Sequence, residues 1–292
     1  MGAVPGPLVS VVMAMRDAAP TLAAALESLC LQDHANWELL LLDDGSSDEG
    51  VRIARRFDDA RIQVLVDGQR RGLAARLNQA VERARGEFIA RMDADDVCYP
   101  ERFSRQLELL QAHPEIDLVA TAAVVFAGNG VPVGLFHVHT SHQDICARPW
   151  AGFYLPHPTW MGRAAWFRAH SYDPGSIKAQ DQALLLHAYP SSRFAAIAEP
   201  LLGYRQDAID LRKVLTSRYY FSRALLQSGR HALRGLLGQA AKATFDTVAI
   251  TTGLERKLLR HRARPLSFAQ VERWNAVWRS VSAPAVPGRT VR

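Results

Sequence analysis

The sequence holds only three cysteines, Cys30, Cys98 and Cys146, an odd set without a Cys-x-x-Cys pair. That scarcity argues against a disulfide framework and a structural zinc site and favours a reducing compartment. Also lacking is any window of about eighteen uncharged apolar residues, so no membrane-spanning helix is expected. The opening MGAVPGPLVSVVMAM has neither the basic n-region nor the long apolar run of a signal peptide, which leads to the expectation of a cytoplasmic protein. Internal repeats and low-complexity tracts are absent as well.

What is present is globular: 292 residues, 48% hydrophobic and 22% charged, enough for one sizeable α/β domain plus an appendage or for two smaller domains. The net charge of +6 conceals a division. From Asp207 onward there are 16 Lys and Arg against 5 Asp and Glu, whereas the preceding 206 residues hold 19 against 24. An acidic front and a basic tail suggest two jobs.

The first hundred residues alternate as βα units. LVSVVM, WELLLLDD, RIQVLV and EFIARM read as buried strands, with helices expected over TLAAALESLCLQ, over Val51 to Phe57 capped by Ser47 or Asp48, and over GLAARLNQAVERAR. A further helix starts near Pro100. Beyond Asp117, two strands meet at GNG in a hairpin pattern. A loop with WAGFYLPHPTWMGR, helices at RAAWFRAH and IKAQDQALLLHAY, and an edge strand at SRFAAIAEPLLGYR follow. After Asp207 the pattern is helical and basic.

The stretch EFIARMDADDV ends an apolar run in Asp93, Asp95 and Asp96. Mutual repulsion at a strand end is costly unless something positive sits among the carboxylates. One reading is a solvated turn with helix-capping aspartates. The other is a hard divalent cation, Mg²⁺ or Mn²⁺, completed by substrate phosphate oxygens. The second is favoured because ligands of open α/β sheets bind beyond the carboxyl ends of strands, where Met15, Asp43, Asp44, Asp93 and Asp95 would share one crevice.

Over residues 8 to 205, the succession VSVVMAMRDAAPTLAAALESLCLQDHANWELLLLDDGSSDEG, GLAARLNQAVERARGEFIARMDADDVCYPERFSRQ, HPTWMGR and YDPGSIKAQDQALLLHAY resembles the family 2 glycosyltransferases. The resemblance implies an α/β fold of the GT-A type, a Rossmann-like, mostly parallel sheet flanked by helices, over residues 1–206, with a basic helical extension at 207–292. It implies metal-dependent, inverting transfer from a nucleoside-diphosphate sugar, a UDP-sugar by expectation, to a carbohydrate or lipid-linked acceptor of the cell envelope. Carried over by position, Ala14, Arg16, Asp44 and Asp93 would bind the nucleotide sugar, Asp95 the Mn²⁺ or Mg²⁺, and Asp181 would be the catalytic base.

Other features bear on that assignment. Standing alone, Asp181 reads first as a helix N-cap; its place in the family pattern reverses that order, and capping and catalysis are compatible. Arg16-Asp17 stands where the family often has an aromatic and an Asn, though an arginine can itself stack on a base. Gln180 replaces a common Glu before the base. His157 reads either as a satisfied loop histidine or as lining the acceptor side, and Arg163 and Arg205 either meet diphosphate or form surface ion pairs. QVERW, Gln270 to Trp274, matches a Gln-x-x-Arg-Trp signature of processive synthases, but it lies far from Asp181 without flanking membrane helices and reads as an amphipathic helix of a single-addition enzyme.

The basic tail reads as helices packed on the catalytic domain or as a peripheral contact with anionic lipid, with LLGQAAKATFDTVAI amphipathic and LERKLLRHRAR cationic. No nucleic-acid recognition module is visible. A sugar-phosphate nucleotidyltransferase would call for a Gly-rich loop after the first strand, and MAMRDAAP has no glycine. A catalytically inactive relative is the third reading, against which Asp93, Asp95 and Asp181 all stand intact.

Overall fold

The computed structural model describes residues 6–206, 210–254 and 263–282. Strands β1 (Val9–Met15) and β2 (Trp37–Asp43) are buried almost throughout, as expected of parallel strands covered on both faces. With β3 (Ile62–Leu65) and β4 (Phe88–Arg91) they form a parallel block in the order β3-β2-β1-β4. Alternate side chains serve two cores. Val12, Leu40, Leu42 and Ile89 pack with helix α3 (Leu73–Arg83), while Val11, Leu39, Leu41 and Ala90 pack with α1 (Leu22–Cys30) and α4 (Arg102–Ala112). Helix α2 (Gly50–Ala54) stops short of Phe57, and Asp48 accepts from the Gly50 N–H at its start.

The second half of the sheet is mixed, so that four of the eight strand pairings among the described residues are parallel. Strand β5 (Val97–Cys98) follows the acidic cluster. β6 (Leu118–Ala127) and β7 (Val131–Phe136) form the hairpin expected at GNG, with Gly128 and Gly130 at positive φ. Helix α5 (His142–Ile145), strand β8 (Met161–Arg163) and helices α6 (Ala164–Ala169) and α7 (Gln180–Ala188) lead to β9 (Phe194–Arg205).

The sheet continues β4-β8-β6-β9-β5. β9 is therefore not the edge strand that its sequence suggested. It runs parallel to β6 and carries the two-residue β5 on its other side, and Pro200 is accommodated where the β6 register shifts. A two-residue strand has no periodicity to read, so its pairing with β9 was invisible beforehand.

Three helices follow: α8 (Leu211–Ser228), α9 (Ala232–Thr251) and α10 (Phe268–Ser282). Trp274 of α10 is fully buried with Val97, Tyr99, Phe126 and Leu201, and its indole N–H donates to the Gly130 carbonyl at 2.7 Å. Arg273 pairs with Glu101 and Glu199. The Arg and Trp of QVERW thus clasp α10 to the sheet. Among the described residues no helix is long and apolar enough to cross a membrane.

Candidate active site

The carboxyl ends of β1, β2 and β4 open on one side, as the parallel register requires: Met15 lies beside Asp43, and Val12 beside Arg91. The Asp44 N–H donates to the Met15 carbonyl, which closes the β1 and β2 ends together. Ala14 is half-buried in β1 opposite Leu42, and Arg16 is exposed just beyond it. Asp17 adopts φ 49° and accepts from the Ser47 N–H at 2.8 Å, so the two strand-end loops hold each other. Hydrogen bonds from Ser47 lower the Asp17 carboxyl below its usual range.

Asp44 is buried. Its Oδ1 accepts from the Arg71 and Gly72 N–H groups at 2.7 and 2.9 Å and from Arg76 Nε at 3.1 Å. Arg76 also binds Asp67, whose carboxyl it holds well below the usual range. Asp44 therefore organises the loop entering α3, and its Oδ2 accepts a 3.1 Å bond from the Gly72 N–H.

Beyond β4, oxygens of Asp93, Asp95 and Asp96 lie within 4.8 Å of one another. Asp96 is fully buried. Its Oδ1 accepts from the Arg205 N–H at 2.9 Å and its Oδ2 has no partner among the described residues, so burial, then repulsion from Asp95 and Asp93, raises its carboxyl well above the usual range. Desolvation in the crevice and repulsion from Asp93 push Asp95 up to about 6. Asp95 is solvent-exposed, so the repulsion is the cause that carries weight there.

One positive group among these carboxylates is supplied by the protein itself. Arg91, the last residue of β4, is 2% exposed and donates through Nη2 to Asp93, while its Nε and Nη1 have no partner among the described residues. Its charge also reaches Asp95, Asp96 and Asp181, lowering the carboxyls against the burial that raises them. The carbonyl of Arg91 is in turn held by buried Arg102 of α4 at 2.7 Å. Sequence reading took Arg91 as a strand residue. A lone arginine in an apolar strand directly before three carboxylates was the available signal.

Asp181 lies in the first turn of α7 and is not its cap. That position belongs to Ala179, at φ 55°. Asp181 is half-buried and accepts from Gln182 Nε2 at 3.2 Å, and desolvation raises its carboxyl above the usual range. The Gln180 Oε1 beside it is buried without a partner.

His157 is buried against Trp160, with Nε2 2.8 Å from the Tyr172 hydroxyl. Burial and the charge of Arg91 hold its imidazole well below the ordinary value, and therefore neutral. Among the described residues Arg163 and Arg205 form no surface ion pair; backbone carbonyls engage both. Arg163 caps carbonyls at the end of α4, and Arg205 binds the Asp95 and Gly128 carbonyls while lying over Phe126.

The donor set of the acidic cluster is all oxygen, with one buried carboxylate oxygen unpartnered and one carboxylate exposed, which fits a hard divalent cation such as Mg²⁺ or Mn²⁺.

Comparison with known proteins gives this geometry a context. Residues 10–170 match the family model described as glycosyl transferase family 2. The chain is 36% identical over 166 residues to the putative glycosyltransferase EpsE of Bacillus subtilis, covering 56% of this chain and 59% of EpsE. It is 37% identical over 103 residues to WfgD of Escherichia coli, a UDP-Glc:α-D-GlcNAc-diphosphoundecaprenol β-1,3-glucosyltransferase, covering 35% of this chain and 41% of that one. The matches thus span less than two thirds of either relative. Among solved structures, S. aureus TarS 1–349 with UDP superposes with a TM-score of 0.60 at 19% identity, over 78% of this chain and 68% of that one. The mannosyltransferase PcManGT from Pyrobaculum calidifontis, with GDP-Man and Mn²⁺, gives 0.56 at 17% identity, over 94% and 85%. At such identities the likeness is one of fold.

Proposed function

The chain belongs to glycosyl transferase family 2 and has its GT-A fold, and from that premise we propose that it transfers a sugar from a nucleoside-diphosphate sugar to an acceptor hydroxyl with inversion. The observation carrying this reading is the crowding of Asp93, Asp95 and Asp96 within 4.8 Å of one another, with Arg91 bonded to Asp93 and its charge felt at Asp181. Residues 1–206 carry the chemistry, and residues 207–292 form the extension. The expected setting is cytoplasmic, in cell-envelope polysaccharide or glycoconjugate biosynthesis. The neighbours solved with UDP and GDP-Man support a nucleotide-sugar donor, with a UDP-sugar the first to test. The acceptor is a carbohydrate or a lipid-linked sugar.

Asp95 is the ligand for Mn²⁺ or Mg²⁺, with Asp93 facing ribose and donor sugar. When bound, the cation supplies Lewis-acid stabilisation of charge on the leaving diphosphate. Asp44 meets the base through Oδ2, the Ala14 backbone borders it, and exposed Arg16, whose Nε lies 3.6 Å from Asp17, stacks on it. Asp181 takes the proton from the acceptor hydroxyl as that oxygen attacks the anomeric carbon opposite the leaving group. Its raised carboxyl makes it a better base than an ordinary aspartate. Arg91 keeps Asp93 oriented and offsets the negative charge of the crevice.

The test is calorimetric titration of UDP, GDP and dTDP, with and without Mn²⁺, into the protein and an Asp95→Ala variant. Binding of one nucleotide that depends on metal and on Asp95 supports the donor site. Absence of binding by a folded protein overturns it.

A further inference from the structure

Helix α9 is two-sided in an unusual way. One side packs on the rest of the molecule: Gly235 abuts Leu225 of α8, Asp246 receives Arg218 Nε at 2.8 Å, and Lys242 Nζ donates to the Ala151 carbonyl at 2.8 Å. On the opposite side Leu233, Leu237, Ala240, Thr244, Val248 and Thr251 recur at helical spacing, with Phe245 beside them, and every one is exposed. Leu233 is 74% exposed, Leu237 65%, Phe245 60% and Val248 55%. None of these positions is charged. A soluble helix normally places its charges there. Helix α8 adds Leu215, Tyr219 and Leu226, again exposed and one helical stripe.

The exposed charges instead lie at the two ends of the α8–α9 hairpin and are mostly basic, while Arg218, Arg223 and Lys242 within it engage Asp246, Asp173 and the Ala151 carbonyl. Arg230 and Arg234 stand at the turn, and exposed Arg212 and Lys213 at the start of α8. Of the acids in the hairpin, Asp246 is buried against Arg218, and Asp210 caps α8. Beside the apolar face Trp150, Arg234 and Lys242 border a hollow of about 270 Å³.

We propose that the exposed face of α9 lies in the headgroup region of an anionic lipid membrane, the apolar side chains inserted and the terminal cations on lipid phosphates. No described helix is suited to cross a bilayer, and an uncharged helix face with basic ends is the pattern of one lying in the interface plane. A second copy of this chain is disfavoured as occupant because it would bring the same basic ends together. The inference stands apart from the proposed chemistry, since it rests on residues outside the crevice.

The experiment is sedimentation of the full chain with vesicles of phosphatidylcholine alone and of phosphatidylcholine with phosphatidylglycerol, for the wild type and for Leu237→Glu and Phe245→Glu. Both substitutions are at exposed positions, and matching thermal melts would confirm that the variants are folded. The expected result is binding to the anionic vesicles, weakened roughly tenfold in either variant. Raising salt should reduce it only in part, because screening acts on the cations and not on the apolar contact. The proposal is overturned if the wild type does not sediment with anionic vesicles, or if both variants sediment equally with it. It is also overturned if light scattering shows a dimer that either variant dissociates.

Discussion

The guanidinium of Arg91 donates to the carboxylate of Asp93 two residues further along the chain, so the strand that delivers the acidic cluster also delivers its counter-charge. The pair is asymmetric in solvation, with Arg91 2% exposed and Asp93 open to the crevice. A buried arginine with two unpartnered nitrogens and several carboxylates in reach is costly to remove, because its partners stay behind. Arg91→Met is expected to cost about 3–5 kcal/mol in denaturant unfolding. Arg91→Lys, which keeps the charge and loses the planar fork, should fold better and still bind nucleotide more weakly. Equal stability of Arg91→Met and wild type would remove Arg91 from this role.

Asp95 sits exposed against Asp93, a like-charge contact that metal would relieve. Without metal, Asp95→Asn should therefore be more stable than wild type at pH 7, by about 1 kcal/mol once solvent screening is allowed for. With saturating Mn²⁺ the order should reverse, since a ligand present at a hundred times its Kd adds about 2.7 kcal/mol only to the form that binds it. Thermal melts with EDTA and with Mn²⁺ measure both. A wild type unmoved by Mn²⁺ would count against the metal site.

Asp181→Asn should lower turnover by a factor of about 10² to 10⁴ while leaving nucleotide affinity nearly unchanged. The carboxyl acts deprotonated, so the rate rises with pH through its folded pKa. Because burial raises that pKa, the acid limb of the profile lies above the ordinary aspartate value of about 3.9. Slow donor hydrolysis is a sufficient readout. The variant should lose that limb as well as the rate, and a variant that keeps wild-type turnover would exclude Asp181 as the base.

The parallel block was legible because uninterrupted runs such as Val9 to Met15 and Leu39 to Leu42 mark strands covered on both faces, and turns follow each. Asp93, Asp95 and Asp96 were legible as a cluster because they are contiguous. Arg91 left one local signal, a lone arginine in an apolar strand before three carboxylates, and that alone does not tell a buried arginine from one that reaches past a strand edge to solvent. The internal engagement of Asp44 depends on the loop carrying Arg71 and Gly72 and on Arg76 of α3, about thirty residues away in sequence. The position of β9 was missed because its neighbour β5 is two residues long, and the burial of Trp274 because its partners span Val97 to Leu201.

The contact between α10 and β9 connects the extension to the acidic cluster. Gly203 of β9 faces the Trp274 ring so closely that an added Cβ would stand 2.1 Å from it. Gly203→Ala must displace the indole, at a cost of about 1–3 kcal/mol, and Trp274→Ala leaves a cavity worth about 3–5 kcal/mol. The new methyl group occupies part of that cavity, so the double variant should be less destabilised than the two losses combined. Two residues beyond Gly203, the Arg205 N–H holds Asp96, and Val97 pairs with Gly203 itself. Gly203→Ala should therefore also weaken Mn²⁺ binding, and Trp274→Ala in the same chain should restore part of it. Denaturant unfolding combined with metal titration of the four proteins checks both effects, and strict additivity would show that α10 and the acidic cluster are not coupled through this contact.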